Sequence, residues 1–366
     1  MNQITESSAT ILVSTGPISK HLKIFYNPIM KFNRDISILL LNTLNRKMQI
    51  ADPLAGSGIR SIRFLKELNK SIIRTLSIND SSKNAVRAIK KNLKLNKIKN
   101  KSITITGKDA NEFLLSSKGF DYIDIDPFGS PNPFLDSAVK RLARNGILAV
   151  TATDTAPLAG TYPKACRRKY WAMPLRNHLM HEVGLRILIR KVQLIAAQYN
   201  KALTPLLSYS KDHYYRIFFQ AEKSKEECDN IIKKHKYLLY CTNCTAQSIT
   251  KPCPCEQTQI AGPLWRGQLH EKNVVKGMMK RTKDKETKKF LETIDQEMDI
   301  LGFYDLHILA KKTKKQPPKT AEIIENLRKS GLKATPTHFS AHAIKTDGTA
   351  QQLIQSLSSH QSLRRN

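Results

Sequence analysis

Apolar positions in the first half of the chain follow two alternating periods. Short runs at residues 48–51, 75–79, 102–106, 120–125 and 146–151 are apolar throughout or alternate with polar residues, and predict strands. Between them, Ile62, Leu65 and Leu68, then Ala85, Val86, Ile89 and Leu93, recur at the spacing of one helix face. Asp80-Ser81-Ser82 supplies a cap for the second of these helices. Strands separated by helices predict an α/β fold, a parallel doubly wound sheet with ligands at the carboxyl ends of its strands.

Farther along, residues 183–197 predict a long apolar helix. Residues 206–210 and 214–220 predict an antiparallel pair closing one sheet edge. Residues 222–236 read as a charged helix, and residues 320–329 as the last one, stopped by Gly331. The pattern changes near Trp265. This divides the chain into a domain over residues 1–265 and a smaller, basic α+β domain over 266–366, with a polar tail after Thr349 that is expected to fray.

Charge narrows the class of partner. Against 30 acidic residues stand 61 Lys and Arg, a formal net charge of +31. Residues 83–108 hold nine basic residues and no acid, and residues 164–191 hold eight with the single acid Glu182. Tyr162, Tyr170 and Trp171 lie in or beside the second run, and aromatic rings among cations suit RNA with unpaired bases. The segment 167–171, the helix starting at Lys83 and running toward Lys101, and the run 311–315 are candidate contacts to an RNA backbone; each alone also reads as a solvated face. No window is long and apolar enough for a membrane span and no signal-peptide pattern opens the chain, so a cytoplasmic protein without a membrane partner is expected. No exposed heptad asks for a protein partner, and a monomer is expected.

Two motifs carry candidate chemistry. Asp126-Pro127-Phe128-Gly129 ends the apolar run 120–125. An amino group on a nucleobase is a poor nucleophile because its lone pair is delocalised into the ring. Asp126 can accept one amino hydrogen, the Pro127 carbonyl can accept the other, and Phe128 can stack on the base. An Asp-Pro turn closing a strand would look the same. The second motif, Asp52-Pro53-Leu54-Ala55-Gly56-Ser57-Gly58-Ile59-Arg60, turns from strand to helix with two glycines two apart. Gly56 and Gly58 allow close approach of a ligand to a helix N-terminus. A P-loop would need Gly-Lys-Ser/Thr and is absent; a dinucleotide fingerprint is matched only in part, with Ser61 in the third small position. S-adenosylmethionine is the third reading. Asp80, ending the second strand, suits ribose hydroxyls, and Asp109, after the third, would sit near an adenine.

Four of the six cysteines fall within residues 241–255 as Cys241-x2-Cys244 and Cys253-x-Cys255. This spacing predicts a hairpin over about residues 238–260 holding Zn2+ tetrahedrally, structural because no coordination position is left open; disulfides or free thiols are the alternative. Cys166 and Cys228 read as plain thiols. His178 and His181 read as packing or RNA-facing side chains, and His213 as structural.

Longer motifs carry a resemblance. The segments beginning Tyr26-Asn27-Pro28, Asp126-Pro127-Phe128, Thr151-Ala152-Thr153-Asp154, Lys211-Asp212-His213-Tyr214-Tyr215, Ala261-Gly262-Pro263-Leu264-Trp265 and Thr337-His338-Phe339 resemble the tRNA (guanine-26-N2)-dimethyltransferases of archaea and eukaryotes. The resemblance runs from about residue 10 to residue 350. It implies a Rossmann-like class I methyltransferase that moves methyl groups from S-adenosylmethionine to N2 of the guanine at the junction of the D and anticodon stems of tRNA. Carried over by position, it implies Asp126 as the catalytic acid and Phe128 and Phe25 as opposing rings around the guanine. It implies Arg34 and Arg60 on the cofactor, Asp80 on its ribose, and Asp109 with Ala110 beside its adenine. The cofactor loop departs from the family's usual Asp-Ala-Leu-Ser-Ala-Thr-Gly-Ile-Arg, keeping Gly58 and Arg60. Two other classes fit parts of the pattern: a methyltransferase acting on adenine N6, and an RNA-binding scaffold without catalysis.

Overall fold

The computed structural model describes residues 2–16, 22–99, 101–314, 316–317 and 319–362. The chain opens with a hairpin, β1 (Asn2–Glu6) and β2 (Ala9–Val13). Then the alternating pattern becomes α1 (Lys31–Leu44), β3 (Met48–Asp52), α2 (Ile59–Glu67), β4 (Ile73–Asn79), α3 (Lys83–Leu95), β5 (Ile103–Thr106), α4 (Ala110–Leu115), β6 (Phe120–Ile125), α5 (Asn132–Arg141) and β7 (Leu142–Ala152). Short helices α6 (Thr155–Leu158) and α7 (Pro163–Tyr170) lead into α8 (Met180–Ala197), followed by β8 (Lys201–Lys211) and β9 (Tyr214–Lys223).

These seven strands form one sheet in the order β5-β4-β3-β6-β7-β9-β8. The first five are parallel, and β9 pairs antiparallel with both β7 and β8, the edge pair expected from the sequence. Because strand side chains alternate, the sheet sorts residues to two faces. Ile50, Tyr122, Ile147 and Ala149 join a core with α1, α2 and α3. Ala51, Ile123, Ile125, Leu148 and Val150 join another with α4, α5 and α8. The chain reverses strand order between β3 and β6, and the motifs at Asp52 and Asp126 end those two neighbours. Ligand clefts form at such a switch point.

The charged helix is shorter than its charge pattern: α9 covers Lys225–Lys233, because Glu222 and Lys223 extend β9 and His235 starts the next strand. A small sheet follows, β11 (Gln247–Ser248), β10 (His235–Cys241) and β12 (Thr258–Trp265) in that order, carrying the cysteines. Next, α10 (Lys272–Arg281) and α11 (Lys285–Gln296) lay Val275, Met278, Leu291 and Ile294 into the same core as α1. A separate apolar core gathers Leu306, Leu309, Ile323, Leu327, Ile344 and Leu353, around β13 (Tyr304–Asp305), β14 (Ala334–Thr337) and β15 (Ser340–Thr346). The tail after Thr349 is helical over Ala350–Ser362 rather than frayed, with Leu353 as its anchor.

Buried charges fasten this C-terminal unit to the sheet domain. Lys345 Nζ donates to Glu182 Oε1 at 2.9 Å and to the Ile300 carbonyl at 2.7 Å. Arg186 Nε donates to the same Glu182 oxygen at 2.8 Å, and its Nη1 reaches the carbonyls of Trp265 and Gly267 at 2.9 Å. None of these three charged side chains is accessible to solvent. Removing one member would leave an uncompensated buried charge between the two units.

Candidate active site

The carboxyl ends of β3, β4 and β6 and the loop before α1 surround a cleft of about 410 Å³. Its lining includes Phe25, Arg34, Asp52, Gly56, Arg60, Asp80, Asp126, Pro127 and Phe128. The two sequence motifs therefore meet in space.

The glycine loop is shaped by backbone conformation. Gly56 has φ +55° and Gly58 φ +79°, in the left-handed region that a Cβ disfavours. A Cβ on Gly58 would also lie 3.1 Å from Ile89 Cγ1. Gly58 caps the start of α2, and the loop is held by Asp80, whose Oδ2 accepts from the Gly56 N–H at 2.8 Å and whose Oδ1 accepts from Ser82 N at 2.9 Å. Burial raises the Asp80 carboxyl above its ordinary range, against those two N–H groups. Asn79 joins the strand ends: its side chain donates to the carbonyls of Pro53 and Lys108 and accepts from Lys108 N at 3.0 Å. Asp109 is exposed, caps α4 by accepting from Asn111 and Glu112 N–H, and with Ala110 stands outside the residues lining the cleft.

Beneath Asp126 lies a charge network that the sequence reading missed. Strand alternation points Asp124 the same way as Asp126. Asp124 is fully buried and is gripped by Arg216 through two bonds of 2.8 and 2.7 Å, with Tyr122 Oη donating at 2.6 Å. Burial would raise Asp124, but Arg216 and then Arg60 outweigh it and hold the carboxyl below its usual range. Arg60 lies 3.2 Å from Asp124 Oδ2, donates to Ser37 Oγ and Asn33 Oδ1 at 3.0 Å each, and pairs with Asp126 Oδ2. Its guanidinium thus fixes the Asp126 carboxylate at the cleft wall. Arg34 is likewise buried, paired with Glu6 and donating to the Asn27 carbonyl at 3.0 Å. One signal was legible: Asp124 and Arg216 are charges flanked on both sides by apolar residues in β6 and β9, which folding tolerates in a buried strand only as partners.

Asp52, at the tip of β3, is pushed up to about 7 by burial, with Asp124 and Asp126 adding to the rise while Arg60 and the Ser61 hydroxyl oppose it. Phe25 and Phe128 lie against each other, ring centroids 4.0 Å apart and planes at 66°. The rings guard the cleft mouth in contact, so a base entering between them must part them.

Two groups of metal-ligand types occur among the described residues. The four thiols at 241, 244, 253 and 255 lie within 4.8 Å of one another. Cys244 Sγ and Cys253 Sγ are 3.3 Å apart, far longer than a disulfide. In the second group, His270, Glu297 and His338, the Nε2 atoms of both histidines are buried without a hydrogen-bond partner among the described residues. His338 Nδ1 bonds Glu297 Oε2 at 2.6 Å, while Ser208 N points at His270 Nδ1 from 3.5 Å, which leaves the proton on His270 Nε2. Lys345 stands 3.3 Å from Glu297 and also donates to Glu182, which ties this cluster to α8.

The remaining sequence candidates have structural places. His178 packs on Tyr240 and Phe303, and His181 lies 3.4 Å from Tyr215 Oη. Cys166 and Cys228 are buried thiols. In the basic run 311–315, Lys312 Nζ donates to the carbonyls of Thr242 and Asn243, bracing the cysteine lobe; Lys315 lies outside the described residues. No helix among the described residues is long and apolar enough to cross a membrane.

Comparison with known proteins agrees with this geometry. Residues 2–358 match the family described as N2,N2-dimethylguanosine tRNA methyltransferase. A tRNA (guanine(26)-N(2)/guanine(27)-N(2))-dimethyltransferase of Aquifex aeolicus strain VF5 is 39% identical over 383 residues, spanning 98% of this chain and 96% of its own. A tRNA (guanine(26)-N(2))-dimethyltransferase of Pyrococcus horikoshii is 37% identical over 375 residues, 97% of each chain. The solved complex of Trm1 from Pyrococcus horikoshii with S-adenosyl-L-methionine superposes with a TM-score of 0.88 at 37% identity, covering 98% of this chain and all of that one. With its Rossmann-like methyltransferase sheet, cysteine cluster and smaller C-terminal unit, the chain belongs to the N2,N2-dimethylguanosine tRNA methyltransferase family.

Proposed function

We infer that this protein is a tRNA methyltransferase that converts guanine-26 to N2,N2-dimethylguanosine with S-adenosylmethionine as methyl donor. One observation carries the reading: Asp126, Pro127 and Phe128 share a cleft with Gly56, Arg60 and Asp80.

The cleft suits the cofactor by its donor set. Asp80 has carboxylate lone pairs beyond those taken by Gly56 and Ser82 and would take the ribose hydroxyls; Gly56 and Gly58 let the backbone approach closely. S-adenosylmethionine, when bound, supplies the methyl group as an electrophile. Arg34 and Arg60, buried and held by carboxylates, support the cleft wall beside it. Asp109 and Ala110 flank the adenine end on the reading carried from the family.

A stem-junction guanine must first leave its stack. Phe25 and Phe128 then separate and enclose the ring, excluding water. Asp126 accepts one N2 hydrogen and the Pro127 carbonyl the other, which turns the nitrogen lone pair toward the donor. As the new N–C bond formed and the donor's S–CH3 bond broke, leaving S-adenosylhomocysteine, the N2 proton would pass to the Asp126 carboxylate. Arg60 fixes the orientation of that carboxylate beforehand, so little reorganisation is needed. A second transfer repeats these roles on the monomethylated amine.

Zn2+ at Cys241, Cys244, Cys253 and Cys255 would hold the small sheet together and leave catalysis to the cleft. The domain division at residue 265 and the basic faces of α3 and α7 complete the proposal, with tRNA as partner. Incubating purified protein with labelled S-adenosylmethionine and tRNA, then digesting to nucleosides, tests it. Label in N2,N2-dimethylguanosine at position 26 is expected; label in methyladenosine, or none, overturns the reading.

A further inference from the structure

The basic run 164–191 leaves an aromatic surface that the cleft chemistry does not use. Trp171 ends α7 in the left-handed conformation, φ +56°, and its side chain is 49% exposed. Lys191, buried in α8, places its Nζ 2.8 Å from the indole centroid. One ring face is therefore covered by a cation, while about half of the residue's surface stays open to solvent. Arg190 Nη1 donates to the Trp171 carbonyl at 3.2 Å and holds the turn.

The surface continues onto the cysteine lobe. Met173 pairs with Gly262 of β12 through two backbone bonds of 2.7 Å, and Gly262 lies against Tyr237 of β10. Tyr237 is 51% exposed, Ile260 55% and Met173 37%. The only acid in residues 164–191, Glu182, is fully buried under Arg186 and Lys345. The run thus shows solvent apolar tips among cations and no carboxylate.

The same turn is tied to the catalytic strand end. Tyr170 Oη lies 2.9 Å from Ser130 Oγ and donates to Asp154 Oδ1 at 2.6 Å, and Asn132 Nδ2 donates to the Lys169 carbonyl at 2.9 Å. Ser130 and Asn132 directly follow Asp126-Pro127-Phe128-Gly129. Trp171 therefore stands in fixed relation to the catalytic acid.

We propose that Trp171, braced by Lys191, is a stacking platform for a second, unpaired nucleotide of the bound tRNA. This rests on the tRNA methyltransferase reading and adds a subsite outside the cleft. Stacking on an exposed ring among cations is how proteins hold unpaired bases. A second copy of the chain fits poorly, since a symmetric contact here would bring Arg190 and Lys191 toward their own copies.

The test uses the full chain and unmodified tRNA transcript. The chain has two tryptophans, and Trp265 is only 2% exposed, so quenching of exposed indole emission reports on Trp171. Expected are quenching that saturates with tRNA binding, and a Trp171→Asn variant, tolerant of the left-handed turn, that loses the quenching. That variant should bind tRNA about tenfold more weakly, with KM raised and kcat at saturating tRNA within about twofold. Because the ring is uncharged, its salt dependence should match wild type. Trp171→Phe should recover most of the affinity. Unchanged tRNA affinity in Trp171→Asn overturns the platform, as does a dimer in sedimentation that this variant splits. Transfer by the wild type is measured first: its absence removes the functional reading, whereas normal transfer with unchanged Trp171→Asn affinity removes the platform alone.

Discussion

Replacing Asp126 by Asn separates chemistry from scaffold, and the structure sets the expected size of each effect. The side chain keeps its volume but loses the charge proposed to receive the N2 proton, and such proton transfers contribute about 10²–10⁴-fold in rate. Stability changes far less. Arg60 loses a charged partner but retains Asp124 at 3.2 Å and Asn33 and Ser37 at 3.0 Å, and Asp126 is itself one-fifth exposed. A hydrogen bond to a charged group is worth about 1.5–3 kcal/mol, and the Asn carbonyl can still accept from Arg60. Relief of repulsion among Asp52, Asp124 and Asp126 offsets part of the loss, leaving a net cost of about 1 kcal/mol. Single-turnover transfer with excess enzyme reads the rate, equilibrium dialysis the affinity for S-adenosylmethionine, and urea titration the stability. A rate within fivefold of wild type refutes the proton-acceptor role. A cofactor affinity that falls as far as the rate would instead make Asp126 a cofactor ligand.

The buried Asp52 predicts a pH-dependent stability difference. Its folded pKa of about 7 exceeds the ordinary 3.8, so the native state keeps a proton that the unfolded chain releases. Its contribution therefore falls as pH rises from about 4 to about 7, by at most about 4 kcal/mol, and then levels off. Asp52→Asn removes this slope: its urea midpoint should gain on wild type between pH 4 and pH 8, and parallel midpoints refute the assignment. Gly58→Ala places a Cβ at φ +79° and 3.1 Å from Ile89, and should lower stability by about 1–3 kcal/mol with weakened cofactor binding; an unchanged melting curve and cofactor affinity would show the loop adapting freely. For the cysteine cluster, elemental analysis should find about one zinc per chain, and Cys244→Ser should lose it and melt earlier while transfer at low temperature persists. Metal-free wild-type protein with normal melting refutes that site.

Much of the fold was legible because its elements are local. The runs at 120–125 and 320–329 became elements with those bounds, and the alternating βα pattern gave a parallel doubly wound sheet, while its strand order came from the fold. The charged helix was overextended because Glu222, Lys223 and Lys236 are polar residues in strands, where exposure rather than period decides. The tail was misread since polar sequence hides one anchoring contact, Leu353 in the C-terminal core. At the site, residue types at strand ends pointed to Asp126, Asp80 and the glycines. Asp109, read by the same logic, also caps α4.

By itself the amino-acid sequence determined the strand ends, the glycine turn, the cysteine spacing and the excess of positive charge, all properties of residues close together in the chain. Only the tertiary structure decided that Arg60, 66 residues before Asp126, orients that carboxylate, that Arg216 neutralises Asp124, and that Trp171 is backed by Lys191. Those pairings arise from how helices cross a sheet. Distant charges can be buried only where packing brings opposite ones together.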